Sequence, residues 1–171
     1  MRANRMTWMA AVVVAGTLAG TRAEAADTAN SGAVVRRIVV SIPDRKLAVV
    51  ENNEVVQVFA VAVGAPASPS PTGTFTIVNR VSNPTYYHSG TVIAPGPRNP
   101  IGTRWIGLSQ KGYGIHGTDQ PSSIGYAKSH GCIRLSNADV ERLFERVRPG
   151  DVVELHAERT TDIDQLFASV H

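Results

Sequence analysis

The chain has 171 residues, of which 43% are hydrophobic and 18% are charged, and it contains a single cysteine. This composition is typical of a globular protein and excludes a wholly disordered chain. One cysteine also excludes an intramolecular disulfide framework and any metal cage built on several thiolates.

The first 25 residues are predicted to be a secretory signal peptide. Arg2 and Arg5 precede an apolar run over residues 6–19, and a stretch rich in alanine around Ala25 is typical of a cleavage site. The run is shorter than the ~20 residues that cross a bilayer comfortably, although an uncleaved anchor is the alternative. Cleavage would leave a nearly neutral chain, so the net charge of +3 is no argument for nucleic-acid binding. We expect a periplasmic protein without stable membrane insertion.

The segments that follow predict a β domain. Residues 26–34 are small and polar, and we expect a flexible tail there. Runs rich in Val and Ile predict strands at 37–42, 46–50, 55–63, 74–81, 104–108, 113–116 and 151–156. Short polar connectors predict that the first three strands form a meander of hairpins. The prolines of residues 64–73 predict a loop.

The second half of the chain adds one long connection and one main helix. Residues 83–103 are predicted to be irregular, and connections of this length are usually functional or disordered. Ser136 is an N-cap candidate for a helix that Pro149 and Gly150 would end. Residues 158–171 are predicted to be a polar tail or a short helix. The expected architecture is a mainly β, mostly antiparallel sandwich or barrel with one main helix, over residues 35–157.

The reactive side chains are concentrated between Gly114 and Arg134. Cys132 would attack a carbonyl as a thiolate, and an imidazole could take its proton and return it to a leaving amine. Both His116 and His130 suit this role on spacing alone. The alternative for Cys132 is a buried small hydrophobe without chemical function.

The residues around the cysteine suggest further roles. Gly131 permits a tight backbone, and amides around Gly131 and Ile133 could face an oxyanion. Arg134 suits a substrate carboxylate, although a solvated surface charge is the alternative. A zinc site built from His116, His130 and Cys132 is an alternative. No carboxylate follows the second histidine to orient a ligand, so we expect no metal.

Two motifs in this region resemble those of a known enzyme family. His116-Gly117-Thr118 and the stretch from Ser129 to Leu135 (Ser-His-Gly-Cys-Ile-Arg-Leu) are similar to the L,D-transpeptidase catalytic domain of the YkuD type. Residues 95–108 and 123–125 resemble the same family. The resemblance spans about residues 37–155, and it includes no appended wall-binding repeat.

The resemblance implies a β-sandwich-like fold, a set of site residues and no cofactor. Cys132 matches the nucleophile, and His116 matches the group that accepts and donates its proton, held by a backbone carbonyl at Gly117. The other residues that it implies are those that shape the pocket and the oxyanion site (His130, Gly131, Ile133) and those that contact substrate (Ser129, Arg134 and, on the cleft wall, Tyr87).

The implied reaction is acyl transfer on peptidoglycan stem peptides. A stem tetrapeptide would acylate Cys132 at its third residue and lose its terminal D-alanine. The acceptor would be an amine of a second stem peptide, a D-amino acid or a wall-anchored protein. An L,D-carboxypeptidase or endopeptidase would use the same residues with water as acceptor. A non-catalytic wall-binding module is the more distant alternative.

Overall fold

The folded part of the chain is organised around one large sheet. The computed structural model describes residues 34–168, so the predicted signal peptide and the predicted tail up to residue 33 lie outside the described residues. The strands are β1 (Arg36–Ser41), β2 (Lys46–Glu51), β3 (Glu54–Ala60), β4 (Val63–Gly64), β5 (Gly73–Ser82), β6 (Tyr86–His88), β7 (Thr91–Ile93), β8 (Arg104–Leu108), β9 (Gly114–His116), β10 (Ala127–Ser129), β11 (Ile133–Arg134) and β12 (Val152–His156). The helices are α1 (Asn137–Arg146) and α2 (Thr161–Ala168), with a 3-10 turn at Pro121–Ser123.

Eight strands form the main sheet in the order β11-β9-β8-β5-β12-β1-β2-β3. The first three strands form the predicted meander, since β2 pairs antiparallel with both β1 and β3. β12 lies between β1 and β5 and runs parallel to β1, with Arg37 opposite Val152. β11 also runs parallel to its neighbour β9, at one edge of the sheet. The mainly β, mostly antiparallel architecture is therefore confirmed.

Residues 83–103 differ from the sequence prediction. They contain a hairpin of β6 and β7, which form a separate two-stranded sheet. Ser89 and Gly90 connect the two strands, and both have positive φ (46° and 79°). Two consecutive residues with positive φ are typical of the type I′ turn that matches the twist of a hairpin. The segment predicted to be irregular therefore carries a short, ordered arm.

The two helices pack on opposite faces of the sheet. Ser136 is the N-cap of α1, as predicted, and its hydroxyl accepts a hydrogen bond from the Asp139 amide at 3.1 Å. The α1 side packs against the larger apolar core, which contains Ile38, Val40, Leu47, Val49, Ile106, Ile115, Val140 and Leu143. The α2 side forms a second core with Val39, Ala48, Val50, Ile163 and Phe167. A second helix is thus present in the segment predicted to be a tail or a short helix.

The alternation of side chains along β1 explains why both faces are covered. Successive residues of a strand point to opposite faces of its sheet, so Ile38 and Val40 enter one core and Val39 enters the other. All three are fully buried. Within residues 34–168, no helix is both long and apolar enough to span a bilayer.

Candidate active site

The parallel pairing of β9 and β11 brings the cysteine and one histidine to the same edge of the sheet. Arg134 lies opposite His116 in this pairing, and Ile133 lies opposite Ile115. Cys132 directly precedes β11, so it lies next to the β9 backbone. By this register Cys132 lies beside Gly114, two residues before His116 on β9, so the thiol and the imidazole come from adjacent strands at one edge of the sheet.

The His116 ring is buried and fixed in one tautomer. Its Nδ1 atom lies 2.5 Å from the Gly117 carbonyl oxygen. Because a carbonyl only accepts, Nδ1 must carry the proton, and the lone pair of a neutral ring is then on Nε2. The Trp105 ring stacks on His116 with 5.7 Å between the ring centroids. The imidazole is thus oriented by one backbone bond and one aromatic neighbour.

Burial sets the protonation of the two reactive groups. Burial lowers the pKa of His116 to about 4, against the effect of the Gly117 hydrogen bond, and the charge of Arg134 lowers it further. Burial raises the pKa of the Cys132 thiol, although a backbone hydrogen bond from Gly114 and the charge of Arg134 oppose this shift. At neutral pH the resting pair is therefore a neutral imidazole and a neutral thiol.

The Cys132 thiol hydrogen-bonds a backbone carbonyl in this structure. Its Sγ atom donates to the Gly112 carbonyl oxygen at 3.7 Å, in the turn between β8 and β9. In the described part of the chain, no hydrogen bond joins Sγ to His116. Transfer of the thiol proton to another acceptor therefore requires that the bond to the Gly112 carbonyl break first.

The turn before Cys132 is held by the hydroxyl of Ser129. This buried oxygen accepts from the Gly131 amide at 3.0 Å and donates to the Cys132 carbonyl at 2.6 Å. Gly131 has a φ of 107°, and a Cβ there would lie 2.7 Å from the Tyr113 ring. The Gly131 amide, which the sequence predicts to face an oxyanion, donates to the Ser129 hydroxyl in this structure. Ile133, the other predicted amide, is a buried sheet residue.

A cavity of 1040 Å³ lies over the cysteine and the histidine. Its lining includes Arg134, the exposed His130 and, from the β6–β7 arm, the exposed Tyr87. Among the described residues, no aspartate or glutamate lines it, and the Arg134 Nε atom is buried without a hydrogen-bond partner from that part of the chain. The described lining therefore presents one guanidinium and no compensating carboxylate.

Two asparagines near the site were not identified from the sequence. The Asn137 Oδ1 atom, at the start of α1, accepts from the amides of Thr103 and Thr118, each at 3.2 Å. It lies against Gly117, where a Cβ would come within 2.2 Å of it. Asn99 is completely buried below the β6–β7 arm. An asparagine in a loop carries no sequence signal that separates such a role from an ordinary turn residue.

The zinc alternative needs three donors that converge on one point. Across residues 34–168, no group of three or more His, Cys, Asp or Glu side chains has that arrangement. His130 and His116 both line the cavity, but they differ in burial: His130 is exposed and His116 is 4% exposed.

Comparisons with known proteins agree on one family. The family model of the YkuD L,D-transpeptidase catalytic domain matches residues 35–155. The putative L,D-transpeptidase YkuD of Bacillus licheniformis is 40% identical over 126 residues, which cover 74% of this chain and 68% of that protein. The putative L,D-transpeptidase YqjB of Bacillus subtilis is 38% identical over 118 residues, which cover 66% of each.

Solved structures share the fold at lower identity. An L,D-transpeptidase from Mycobacterium smegmatis superposes with a TM-score of 0.63 at 21% identity, over 72% of this chain and 59% of that one. LdtMt1 in complex with imipenem gives a TM-score of 0.61 at 23% identity, over the same shares. The chain thus spans about two thirds of these two curated relatives and less of these solved chains. By family model, sequence identity and fold, the chain belongs to the L,D-transpeptidase catalytic-domain family.

Proposed function

We propose that this chain is a periplasmic L,D-transpeptidase that uses Cys132 as its nucleophile and a peptidoglycan stem tetrapeptide as its acyl donor. The observation that carries the proposal is the pairing of β9 with β11, which brings Cys132 and His116 to one edge of the sheet, where both line a large cavity. His116 is the better base of the two candidates, since its Nδ1 proton is held by Gly117 and its Nε2 lone pair is available. The predicted signal peptide supports the location.

The acylation step follows from the neutral resting pair. The thiol releases the Gly112 carbonyl, and Nε2 takes the thiol proton as sulfur attacks the carbonyl carbon of the third residue. The carbon–sulfur bond forms, and the bond to the nitrogen of the terminal D-alanine breaks. His116 returns the proton to that nitrogen, so D-alanine leaves as a free amine and a thioester remains.

The second step regenerates the thiol. An acceptor amine attacks the thioester carbon, His116 takes a proton from the amine, and the departing sulfur recovers it. A second stem peptide, a D-amino acid or a wall-anchored protein would supply the amine. Water in the same position would give a hydrolase, which is the alternative activity.

Two groups would stabilise charge during these steps. With the Gly131 amide bound to Ser129, we assign oxyanion stabilisation to the backbone amide of Cys132, which precedes β11. Arg134 would bind a carboxylate of the stem peptide, because it is the only Arg or Lys on the described cavity lining and no carboxylate there neutralises it. Ser129 then shapes the turn rather than contacting substrate, and Tyr87 and His130 form walls of the cleft.

The test is intact-protein mass spectrometry of the chain mixed with a stem tetrapeptide. We expect an adduct with the mass of the acyl tripeptide, and no adduct on Cys132→Ala. His116→Ala and His130→Ala form a matched pair of histidine variants: the first should lose acylation and the second should keep it. An adduct on Cys132→Ala, or equal losses in both histidine variants, would contradict the assignment.

Product analysis separates transfer from hydrolysis. With excess tetrapeptide, a transpeptidase releases D-alanine and forms a cross-linked dimer, whereas a hydrolase accumulates free tripeptide. Because the related LdtMt1 was solved in complex with imipenem, we also expect imipenem to acylate Cys132. The absence of any imipenem adduct would count against a nucleophilic Cys132.

A further inference from the structure

The arm formed by β6 and β7 stands apart from the rest of the fold. It forms its own two-stranded sheet, and it pairs with no strand of the main sheet. Yet Tyr86, Tyr87 and His88, all on β6, line the cavity above Cys132. The width of the cleft therefore depends on how this arm is held.

Asn99 is the residue that holds both ends of the arm. Its Nδ2 atom donates to the carbonyl of Pro84 at 2.7 Å, just before β6. The same atom lies 3.4 Å from the carbonyl of Ile93, the last residue of β7, and 3.3 Å from that of Ala94. One side-chain amide thus connects the two ends of the hairpin at its base. Asn99 is completely buried there.

The carbonyl oxygen of the same side chain binds the backbone of a second segment that lines the cavity. Oδ1 of Asn99 accepts from the amide of Ile101 at 3.0 Å. Both Pro100 and Ile101 line the cavity. Between residues 34 and 168, no other side chain forms a hydrogen bond to residues 84–94. Just outside the arm, the Asn83 amide donates a backbone hydrogen bond to the Thr103 carbonyl.

We infer that Asn99 is a positioning residue that sets the distance between the β6–β7 arm and the side of the cavity that carries Cys132 and His116. It thereby controls binding of the donor peptide. It does so without touching substrate, since it is fully buried. The inference rests on the proposed function for its substrate. It places the effect of Asn99 on the KM for the donor and not on the reactivity of Cys132.

The first test is Asn99→Ala. Losing buried hydrogen bonds at the base of the arm should raise the KM for the stem tetrapeptide about tenfold. Alkylation of Cys132 by iodoacetamide, which is too small to need the arm, should keep its rate. Ser41→Ala is the matched control: Ser41 is equally buried and also holds a turn, through Asp44, but it lies at the β1–β2 connection. It should lower stability without changing KM.

Asn99→Asp gives a second variant with a distinct signature. The carboxylate keeps an acceptor for the Ile101 amide but places a second oxygen against the carbonyl of Pro84. When ionised it repels that carbonyl, and when protonated it can donate to it. Relative to the unmodified chain at each pH, the KM defect should therefore shrink as the pH falls. A pH-independent defect would contradict the proposed contact.

Hydrogen exchange tests the inference independently of the substrate. In folded Asn99→Ala, residues 84–94 should exchange faster, while β9 and β11 keep their protection. Unchanged protection of the arm, or an unchanged KM, would overturn the role of Asn99. Should the unmodified chain form no acyl-enzyme with the tetrapeptide, the proposed function fails, and the exchange result still decides whether Asn99 holds the arm.

Discussion

Burial of the His116 imidazole lowers the free energy of unfolding by an amount that depends on pH. Its pKa lies near 4 in the folded chain, whereas the ordinary value for histidine is 6.5. Between these two values the unfolded state binds a proton that the folded state does not bind. Stability must therefore fall as the pH is lowered through this window. The proposed proton acceptor for Cys132 thus destabilises the fold in acid.

This linkage predicts the outcome of unfolding measurements at two pH values. Lowering the pH from 7.5 to 4.5 should reduce the free energy of unfolding through His116 by up to about 3 kcal/mol. The measurement is urea denaturation of the unmodified chain and of His116→Gln, whose side chain does not titrate. Between the two pH values, the free energy of unfolding of the unmodified chain should fall by more than that of His116→Gln. Parallel pH profiles for both proteins would exclude this role of His116.

Gly117 is the second residue whose environment yields a prediction. A Cβ at this position would lie 2.2 Å from the Asn137 Oδ1 atom and 3.2 Å from the Thr103 amide nitrogen. Gly117→Ala should therefore displace the carbonyl that orients His116 and lower kcat/KM for donor acylation by tenfold or more, as small misplacements of catalytic groups do. Steady-state kinetics with the tetrapeptide provides the measurement.

Gly73→Ala is the control for Gly117→Ala. Gly73 has a φ of 116°, and a Cβ there would meet open space, at a position away from the cavity. The strained backbone should lower stability while kcat/KM of the folded protein stays the same. If both variants lost stability alone, the Gly117 carbonyl would have no part in catalysis.

Residue roles differ in how far the sequence reveals them. The motif around Cys132 predicts a nucleophile and two candidate bases, because thiol and imidazole chemistry is specific to those residue types. Spacing alone does not separate His116 from His130, since burial depends on the strands that surround each ring; only the family resemblance assigns the role to His116. The hydroxyl of Ser129 was also unpredictable as a partner of the Gly131 amide, because that bond depends on the shape of one turn.

At the scale of elements, strands were predicted well where they are apolar. Residues 104–108 coincide with β8, and the predicted ends of β1, β2 and β12 lie within one residue of the observed ones. The β6–β7 arm was missed although Tyr86-Tyr87-His88 and Thr91-Val92-Ile93 flank a Ser-Gly pair, which is a hairpin signal. The prolines and glycines of residues 83–103 obscured it. Short strands such as β11 have too few residues to carry any pattern.

The helix α1 contributes to the site through its first turn. Its N-cap Ser136 is adjacent to Asn137, which binds the loop at Thr118. Ser136→Ala should lower the free energy of unfolding by about 1 kcal/mol, because the amide of Asp139 loses its partner. Thermal denaturation measures the change. The exposed Ser122→Ala serves as control, and an equal loss there would mean that the cap does not stabilise α1.

At the scale of the whole molecule, the sheet order depends on contacts between distant segments. β12 inserts between β1 and β5, so the two ends of the domain pair with each other. Nothing in the sequence of a strand specifies which distant strand lies beside it, and the order was therefore beyond prediction. The same long-range pairing closes both cores, since residues of β1 and β12 contribute to the core beneath α1 and β1 also contributes to the one beneath α2.

The second core predicts a separation of stability from catalysis. Ile163, on α2, is 4% exposed and packs with Val39 and Val50 on the face away from α1. Ile163→Ala should lower the free energy of unfolding by about 2–4 kcal/mol, through lost apolar burial and the cavity left behind. No residue of α2 lines the active-site cavity. The rate of donor acylation per folded molecule should therefore be unchanged at temperatures well below Tm.

Val56→Ala is the matched control for this core variant. Val56 lies on β3, in the same β1–β2–β3 meander, but its side chain is 40% exposed. Its truncation should therefore change the free energy of unfolding by less than about 0.5 kcal/mol. Urea denaturation and acylation kinetics on the same samples separate the two quantities. If Ile163→Ala slowed acylation while Val56→Ala did not, a change of packing beneath α2 would have to alter the positions of β9 and β11 through the sheet. The site would then depend on both cores, not on the larger core alone.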